Sequence, residues 1–278
     1  MVNNCSYKEF LDKIFPSIDE LLQTPNVSYQ TNNTIQIHML IYGKQGSGKT
    51  ELARTIAEYL NEKYGIHNVS VTWTEGDLES LIKYGIKNTL VNFLVCEDIT
   101  LEKISRDTIR DFFRIRHIYA ERTGRRNGLI ITLVSTHRWH GLKYPELRTD
   151  VDVIFIKNIP TNPYDESIIR KYTTPKLLNE LRKYEQIRDK HPTLKGYCLV
   201  YNKGNKFMTY FPLAKQDYLF SLQLPKLIVR VQIDRTVHKG LSDYALDILA
   251  GLGALLYSGM FFVSTLVFML LLWGMIIG

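Results

Sequence analysis

GKQGSGKT, at residues 43–50, is the stretch of sequence that decides the fold of this 278-residue chain. It matches the pattern GxxxxGK[ST], follows the apolar run IQIHMLIY (residues 35–42) and precedes the amphipathic run ELARTIAEYL (residues 51–60). In that context a strand, a glycine-rich turn and a helix form a cradle, in which backbone amides and the positive end of the helix dipole face phosphate groups. The stretch therefore predicts a nucleotide-binding loop; the alternative is a glycine-rich turn without a ligand.

Each residue type in this loop has its own role in binding a nucleoside triphosphate. Glycines let the backbone amides turn inward around the phosphates. Lys49 is expected to reach the β- and γ-phosphates, and the Thr50 hydroxyl is expected to be a ligand of Mg²⁺. ATP and Mg²⁺ are therefore the predicted cofactors. The predicted nucleotide-binding residues are Gly43, Lys44, Gln45, Gly46, Ser47, Gly48, Lys49 and Thr50.

Two adjacent carboxylates end a second apolar run, FLVCED (residues 93–98). A phosphate-bound Mg²⁺ needs a carboxylate at the carboxyl end of a strand, and hydrolysis needs a second carboxylate to orient water. We assign the metal to Glu97 and the water to Asp98. The alternative is a pair of solvated carboxylates at the end of a strand.

A third apolar run, LIITLVSTHRW (residues 129–139), ends in the polar residues Ser135, Thr136 and His137. His137 and His140 have a spacing found in metal sites. A zinc site needs further protein ligands beyond two histidines, so these two predict such a site only weakly.

These runs, together with PELRTDVDVIFIK (residues 145–157), resemble the additional-strand, conserved-glutamate class of P-loop ATPases. They are most similar to the FtsK-HerA type and to viral genome-packaging and virion-assembly ATPases, including those of spindle-shaped archaeal viruses. The resemblance covers roughly residues 35–175. It implies a sheet in the order 5-1-4-3-2, a γ-phosphate sensor at Thr136 or His137, and a ring of subunits with ATP at the interfaces.

A ring-forming motor also needs an arginine from the neighbouring subunit to stabilise charge on the γ-phosphate. Spacing does not select one. The candidates are Arg148, which follows Leu147 in the loop before the fifth strand, and Arg122, Arg125 and Arg126.

Alternating strand-like and helix-like runs predict an α/β fold with a mostly parallel sheet of five strands covered on both faces. Two short helices precede the sheet, long helices are expected at about residues 101–121 and 164–190, and a small antiparallel elaboration follows. Its strands are expected in GYCLVYN (196–202), KFMTYFPL (206–213) and YLFSLQL (218–224). The predicted divisions are 1–34 (helical segment), 35–160 (ATPase core), 161–243 (helix plus antiparallel strands) and 244–278 (membrane anchor).

The anchor is predicted from composition, because no charged residue occurs from Ile248 to Gly278. That run is longer than the roughly 20 residues a transmembrane helix needs. Lys226, Arg230, Arg235 and Lys239 precede it and no charge follows, which predicts a single-pass C-terminal anchor with the large domain in the cytoplasm. The alternative is a helix that docks on protein.

A formal charge of +7 and a pI near 9.1 suit a polyanionic partner such as double-stranded DNA or an acidic membrane surface. Arg106, Arg110 and Arg114 recur every four residues and would form a stripe along one helical face that follows a DNA backbone. The alternative is a solvated face paired with Asp107 and Asp111.

The sequence thus predicts a membrane-anchored, ATP-hydrolysing motor that self-associates into a ring. It would translocate or package DNA, or act with a particle or membrane protein in virion assembly or extrusion. One alternative is a replication initiator or remodelling switch of the AAA+ type, for which no DNA-reading module is evident. The other is a small-molecule kinase, against which the paired carboxylates argue.

Overall fold

The computed structural model describes residues 6–22, 33–99, 104–138, 146–188 and 191–212. Contacts divide the chain after Leu227, so the described residues all belong to the first of its two units. Its α-helices are α1 (Tyr7–Ile14), α2 (Ile18–Leu22), α3 (Lys49–Tyr64), α4 (Leu78–Tyr84), α5 (Arg106–Phe113), α6 (Ile115–Thr123), α7 (Glu146–Thr149), α8 (Pro163–Ile169) and α9 (Pro175–Arg188). Its strands are β1 (Asn33–Tyr42), β2 (Val69–Glu75), β3 (Val91–Glu97), β4 (Asn127–Thr136), β5 (Val153–Ile156), β6 (Tyr197–Asn202) and β7 (Asn205–Tyr210). Two 3₁₀-helices are η1 (Arg170–Tyr172) and η2 (Pro192–Gly196).

The sheet is a single seven-stranded one in the order β7-β6-β5-β1-β4-β3-β2. Strands β1 to β5 pair in parallel, and β6 and β7 pair antiparallel. The predicted five-stranded sheet is therefore wrong in its extent: β1 to β5 lie in the order 5-1-4-3-2, but β6 and β7 continue the same sheet beyond β5. The reason is that β5 leaves a free edge, on which an antiparallel hairpin satisfies the backbone groups. The α/β class and the antiparallel hairpin are confirmed.

Helices cover both faces of the sheet, because the parallel strands are apolar on both sides. One face packs against α3 and α1, where Leu52, Ile56 and Phe10 are buried against strand residues. The other face packs against α4, α5, α6 and α9, with Phe112 and Leu181 buried. Because β1 to β5 are parallel, their carboxyl ends lie at the same edge of the sheet. The side chains that follow these strands meet at that edge.

The prediction of one continuous helix at residues 101–121 is wrong. In the described part of it, α5 ends at Phe113 and α6 begins at Ile115. Arg114 has φ −99° and ψ 12°, and the Gln36 side-chain amide donates to the Phe113 carbonyl at 3.3 Å. A side chain that takes a helical carbonyl interrupts the i→i−4 ladder and bends the helix.

The long helix predicted at residues 164–190 is also divided. Helix α8 ends at Ile169, η1 follows, and α9 begins at Pro175 after the extended residue Thr173. Proline disfavours helical backbone in the residue before it and has no amide to donate, so Pro175 starts a helix and cannot lie inside one.

The predicted anchor at residues 244–278 and the predicted strand at 218–224 both lie outside the described residues. Among the residues the structure does describe, no helix combines the length and apolar character needed to cross a membrane. The predicted divisions of the chain stay predictions.

Candidate nucleotide-binding site

The glycine-rich loop lies at the carboxyl edge of the sheet, between the ends of β4 and β5. The Gly43 amide donates to the Thr136 carbonyl at 3.1 Å, and the Lys157 amide donates to the Tyr42 carbonyl at 2.8 Å. Gly46 has φ +73° and Gly48 has φ +84°. Only glycine adopts such left-handed backbone without strain, so these two positions let the loop fold back over the start of α3.

Lys49, the first residue of α3, points its ammonium back over the loop. Its Nζ donates to the carbonyl oxygens of Gly43 at 3.1 Å and Lys44 at 3.3 Å, and lies 3.4 Å from Asp98 Oδ1. Burial lowers the pKa of Lys49 and outweighs the opposing effect of Asp98. The ammonium is thus held at the helix N-terminus, where it can bind an anion.

The Thr50 hydroxyl and the Glu97 carboxylate are in direct contact. Thr50 Oγ1 donates to Glu97 Oε1 at 2.5 Å. Thr50 lies in the first turn of α3 and Glu97 at the last position of β3, so the strand end brings its carboxylate to the helix start. A hydroxyl beside a carboxylate is the oxygen-rich donor set that Mg²⁺ prefers. These residues fit a phosphate-bound Mg²⁺.

Asp98 and His137 form a second pair beside Lys49. His137 Nε2 lies 2.9 Å from Asp98 Oδ1, and His137 Nδ1 lies 3.0 Å from Lys49 Nζ. Nε2 thus faces the carboxylate, while Nδ1 lies beside both the Lys49 ammonium and, at 3.1 Å, the Gly43 carbonyl oxygen. Burial raises the pKa of Asp98, but hydrogen bonding to His137 and the charge of Lys49 outweigh it, so the pKa of Asp98 is lowered and its carboxylate stays ionised.

Ser135, at the end of β4, fixes the backbone around Asp98. The Asp98 amide donates to Ser135 Oγ at 3.1 Å, and Asp98 has φ +47°, which is uncommon for a residue other than glycine. The strained turn directs the carboxylate towards Lys49. Backbone strain of this kind persists where surrounding contacts hold it in place.

A cavity of about 280 Å³ opens between the loop and the two strand ends. The loop residues line it together with Asp98, His137 and Lys195. Asn158, just beyond β5, supports the loop from behind: its Oδ1 accepts from the Lys44 amide at 3.2 Å, and its Nδ2 donates to Glu185 at 2.7 Å.

The structure brings together five of the predicted catalytic and metal-binding residues, namely Lys49, Thr50, Glu97, Asp98 and His137. Thr136 lies apart from them, because its hydroxyl donates to the Arg138 carbonyl at 3.0 Å. Of the two predicted sensors, His137 is therefore the one that contacts the site. Arg148 belongs to α7, and its side chain lies outside what the structure describes.

Sequence reasoning noted Ser135 without giving it a role, and it missed Asn158 and Lys195. Ser135 and Asn158 end or follow strands whose carboxyl ends meet at the loop, so the strand pattern could have indicated them. Lys195 had no such signal, since it follows a helix and precedes an antiparallel strand.

The other predicted arginine and metal candidates take different places. Arg122 donates to the Ile82 and Lys83 carbonyls at 2.7 Å each, and Arg125 donates to Asn88 at 2.6 Å, so both hold neighbouring segments. Arg110 is exposed and lies 3.2 Å from Asp107. Within the described ranges no cluster of three metal-ligating side chains occurs, and His140 lies outside them.

A strand, a glycine-rich loop and a helix at the carboxyl edge of a largely parallel sheet define this domain as a P-loop NTPase fold. No protein-family model and no curated protein matches the chain.

Solved structures similar to the chain include the genome packaging NTPase B204 from Sulfolobus turreted icosahedral virus 2 in complex with ATP-gammaS. Its identity is 14%, its TM-score is 0.41, and the match covers 64% of this chain and 98% of that one. The DNA-packaging ATPase B204 from Sulfolobus turreted icosahedral virus has 14% identity and a TM-score of 0.40, with the same two coverages, 64% and 98%. The pCW3 conjugation coupling protein TcpA, in monomer form with ATPgS, has 13% identity, a TM-score of 0.35, and coverages of 70% of this chain and 65% of that one.

Proposed function

We propose that the protein binds MgATP at residues 43–50 and hydrolyses it to ADP and phosphate. The observation that carries this proposal is the contact of two pairs at one edge of the sheet: Thr50 with Glu97 at 2.5 Å, and Lys49 with Asp98 at 3.4 Å. A phosphate loop alone would fit binding, but the second carboxylate supplies a group that can orient water.

The roles follow from these contacts. The loop amides and Lys49 bind the phosphates, and Thr50 with Glu97 holds Mg²⁺, which neutralises charge on the phosphate oxygens when bound. Asp98 accepts a hydrogen bond from the attacking water and orients it. His137 holds the Asp98 carboxylate and lies where a γ-phosphate alters its contacts, so it acts as the sensor.

Three variants of the full-length protein in detergent test this function by steady-state ATP hydrolysis. Lys49→Ala should abolish nucleotide binding and hydrolysis together. Asp98→Asn should retain MgATP binding and lower kcat by about 10²-fold or more, the range general-base catalysis contributes. Glu97→Gln should raise the Mg²⁺ concentration needed for half-maximal rate. Hydrolysis unaffected by Lys49→Ala would refute the proposal.

We propose further that hydrolysis drives a motor acting on DNA or on particle assembly, in a ring completed by Arg148 of a neighbouring subunit. The motif resemblance and the basic charge of +7 support this role. Double-stranded DNA should stimulate the ATPase, and Arg148→Ala should lower kcat without weakening ATP binding. Activity that ignores DNA but rises with a particle or membrane protein would favour assembly.

Membrane attachment is proposed from the uncharged run at residues 248–278. Full-length protein should float with liposomes, and a variant lacking residues 244–278 should stay at the bottom of the same gradient. Equal behaviour of the two proteins would refute attachment through this segment.

A further inference from the structure

Lys195 lies against the nucleotide-binding loop although it comes much later in the chain. It belongs to η2, whose residues precede β6. A Cβ built on Gly48 would lie 3.1 Å from the Lys195 carbonyl oxygen and 3.2 Å from the Lys195 Cβ. The main chain and Cβ of Lys195 therefore pack directly on the loop, and the residue lines the same cavity as Lys49 and Asp98.

The backbone of Lys195 is fixed by contacts on both sides. Its carbonyl accepts a hydrogen bond from the ammonium of Lys157, whose side chain is buried with 1% exposed. Next to it, a Cβ on Gly196 would lie 2.2 Å from the Phe211 carbonyl oxygen, and the Phe211 amide donates to the Gly196 carbonyl at 2.9 Å. These contacts fix the main chain from which the Lys195 side chain extends.

The charge of Lys195 has no carboxylate partner in the described part of the chain. Lys49, by contrast, is already held by two carbonyls and lies 3.4 Å from Asp98. Lys195 is half-buried and lines the cavity between the loop and the strand ends. A cation placed so is available to an anionic ligand.

The position of Lys195 along the loop indicates which phosphates it meets. Gly48 belongs to the backbone cradle for the α- and β-phosphates, whereas the lysine of the loop reaches the β- and γ-phosphates. Asp98 and His137 gather around Lys49, at the γ end. Lys195 packs on Gly48, the residue that precedes the first turn of α3.

We propose that Lys195 is a second phosphate-binding lysine, which donates from Nζ to the α- and β-phosphates of the bound nucleotide. This rests on the proposed nucleotide binding and adds a residue to it. ATP and ADP share these phosphates, so Lys195 stabilises both complexes alike and does not sense hydrolysis. The 3₁₀-helix η2, which leads into β6, thereby becomes part of the nucleotide site.

The test compares Lys195→Met, which keeps the length of the side chain without its charge, with Lys195→Arg, which keeps the charge. Because the structural contact is made by the carbonyl, both variants should fold. Lys203→Met is the control, since Lys203 lies in the β6–β7 turn, 3.4 Å from Asp152. Isothermal titration of the full-length proteins uses ADP and AMPPNP, each with Mg²⁺, and is accompanied by steady-state hydrolysis.

Lys195→Met should weaken binding of ADP and AMPPNP by a similar factor, about tenfold, as expected for one charged hydrogen bond. It should raise KM with kcat little changed, because the lost contact is equal in ground and transition states. Lys195→Arg should restore most of the affinity, and Lys203→Met should behave as wild type.

Two results would overturn the role of Lys195 alone. One is wild-type affinity of Lys195→Met for both nucleotides while the unaltered protein binds them. The other is a loss confined to AMPPNP and kcat, which would place the ammonium at the γ-phosphate. Failure of the unaltered protein to bind either nucleotide would instead overturn the proposed function itself.

Discussion

At the scale of single residues, the loop depends on close approach at Gly43. A Cβ there would lie 2.5 Å from Ser47 Oγ and 2.9 Å from Lys157 Cβ. The hydroxyl can rotate away, but the Lys157 Cβ is attached directly to the β5 end of the sheet. We expect Gly43→Ala to destabilise the fold by about 1–3 kcal/mol, the usual cost of overpacking, and to weaken nucleotide binding.

Urea unfolding and nucleotide titration of the Gly43→Ala variant check this expectation. Gly124→Ala is the control, because Gly124 has φ +68° but a Cβ built there would meet nothing within 4 Å. The control should lose about 1 kcal/mol through backbone strain alone and bind nucleotide normally. Equal nucleotide affinity of the Gly43→Ala variant and wild type would contradict the steric argument.

The burial of Lys157 makes the stability of the fold depend on pH, and it fixes the sign of that dependence. Burial lowers the pKa of Lys157 from 10.5 to about 8. Below pH 8 the folded protein carries a buried ammonium, which costs stability. Between pH 8 and 10.5 the unfolded chain binds more protons than the folded one, so stability relative to Lys157→Met rises with pH. The free energy of unfolding should rise by about 3 kcal/mol in total, because the pKa of Lys157 shifts from 10.5 to about 8.

Urea unfolding of wild type and Lys157→Met at pH 7.5, 9 and about 10.5 measures this difference. Subtracting the variant removes the titration of other groups, provided they do not contact Lys157. A difference that does not change with pH would show that the ammonium is not desolvated in the folded state.

At the scale of secondary-structure elements, α5 holds the face of the sheet opposite α3. Phe112 of α5 is buried with 0% exposed and lies with its ring centroid 4.4 Å from that of His38 on β1. Phe112→Ala should lower the free energy of unfolding by about 3–5 kcal/mol, because removing the ring leaves a cavity that the surrounding side chains do not fill. The free energy of unfolding in urea tests this, and Ile66→Ala at a position 57% exposed should change it by less than about 0.5 kcal/mol. A similar loss in both variants would contradict the cavity argument.

The sequence predicted elements best where one local signal settled them. The apolar runs located the parallel strands, and the glycine-rich loop located the start of α3 at Lys49. It failed at the break between α5 and α6, because that break depends on Gln36, a residue far away in the chain that takes the Phe113 carbonyl. Periodicity carries no information about such a contact.

The candidate site likewise contains residues that the sequence could predict and one that it could not. The loop and the two carboxylates could be predicted because their spacing is set by local chemistry and by the end of one strand. Lys195 could not, since its place depends on the return of the chain through α9 and η2 to the edge of the sheet. Its neighbour there is Gly48, and nothing in the sequence around Lys195 records that contact.

At the scale of the whole molecule, the nucleotide site joins segments from both ends of the described domain. The loop follows β1, and Lys195 precedes β6, so a nucleotide at the proposed site would contact two segments far apart in the sequence. Ligand that binds only the folded state stabilises it by RT ln(1 + [L]/Kd). MgADP at 100 times its Kd should therefore raise the free energy of unfolding by about 2.7 kcal/mol.

Thermal unfolding of the full-length protein with increasing MgADP measures this effect, and the expected shift in Tm is a few degrees. Lys49→Ala should show no shift at the same concentrations, while Lys195→Met should show the same curve displaced to about tenfold higher ligand concentration, because one of several phosphate contacts is lost and the others remain. A wild-type protein whose Tm does not change with MgADP would contradict the proposed nucleotide binding itself. A Lys195→Met curve that coincides with wild type would mean that η2 contacts the loop by packing alone.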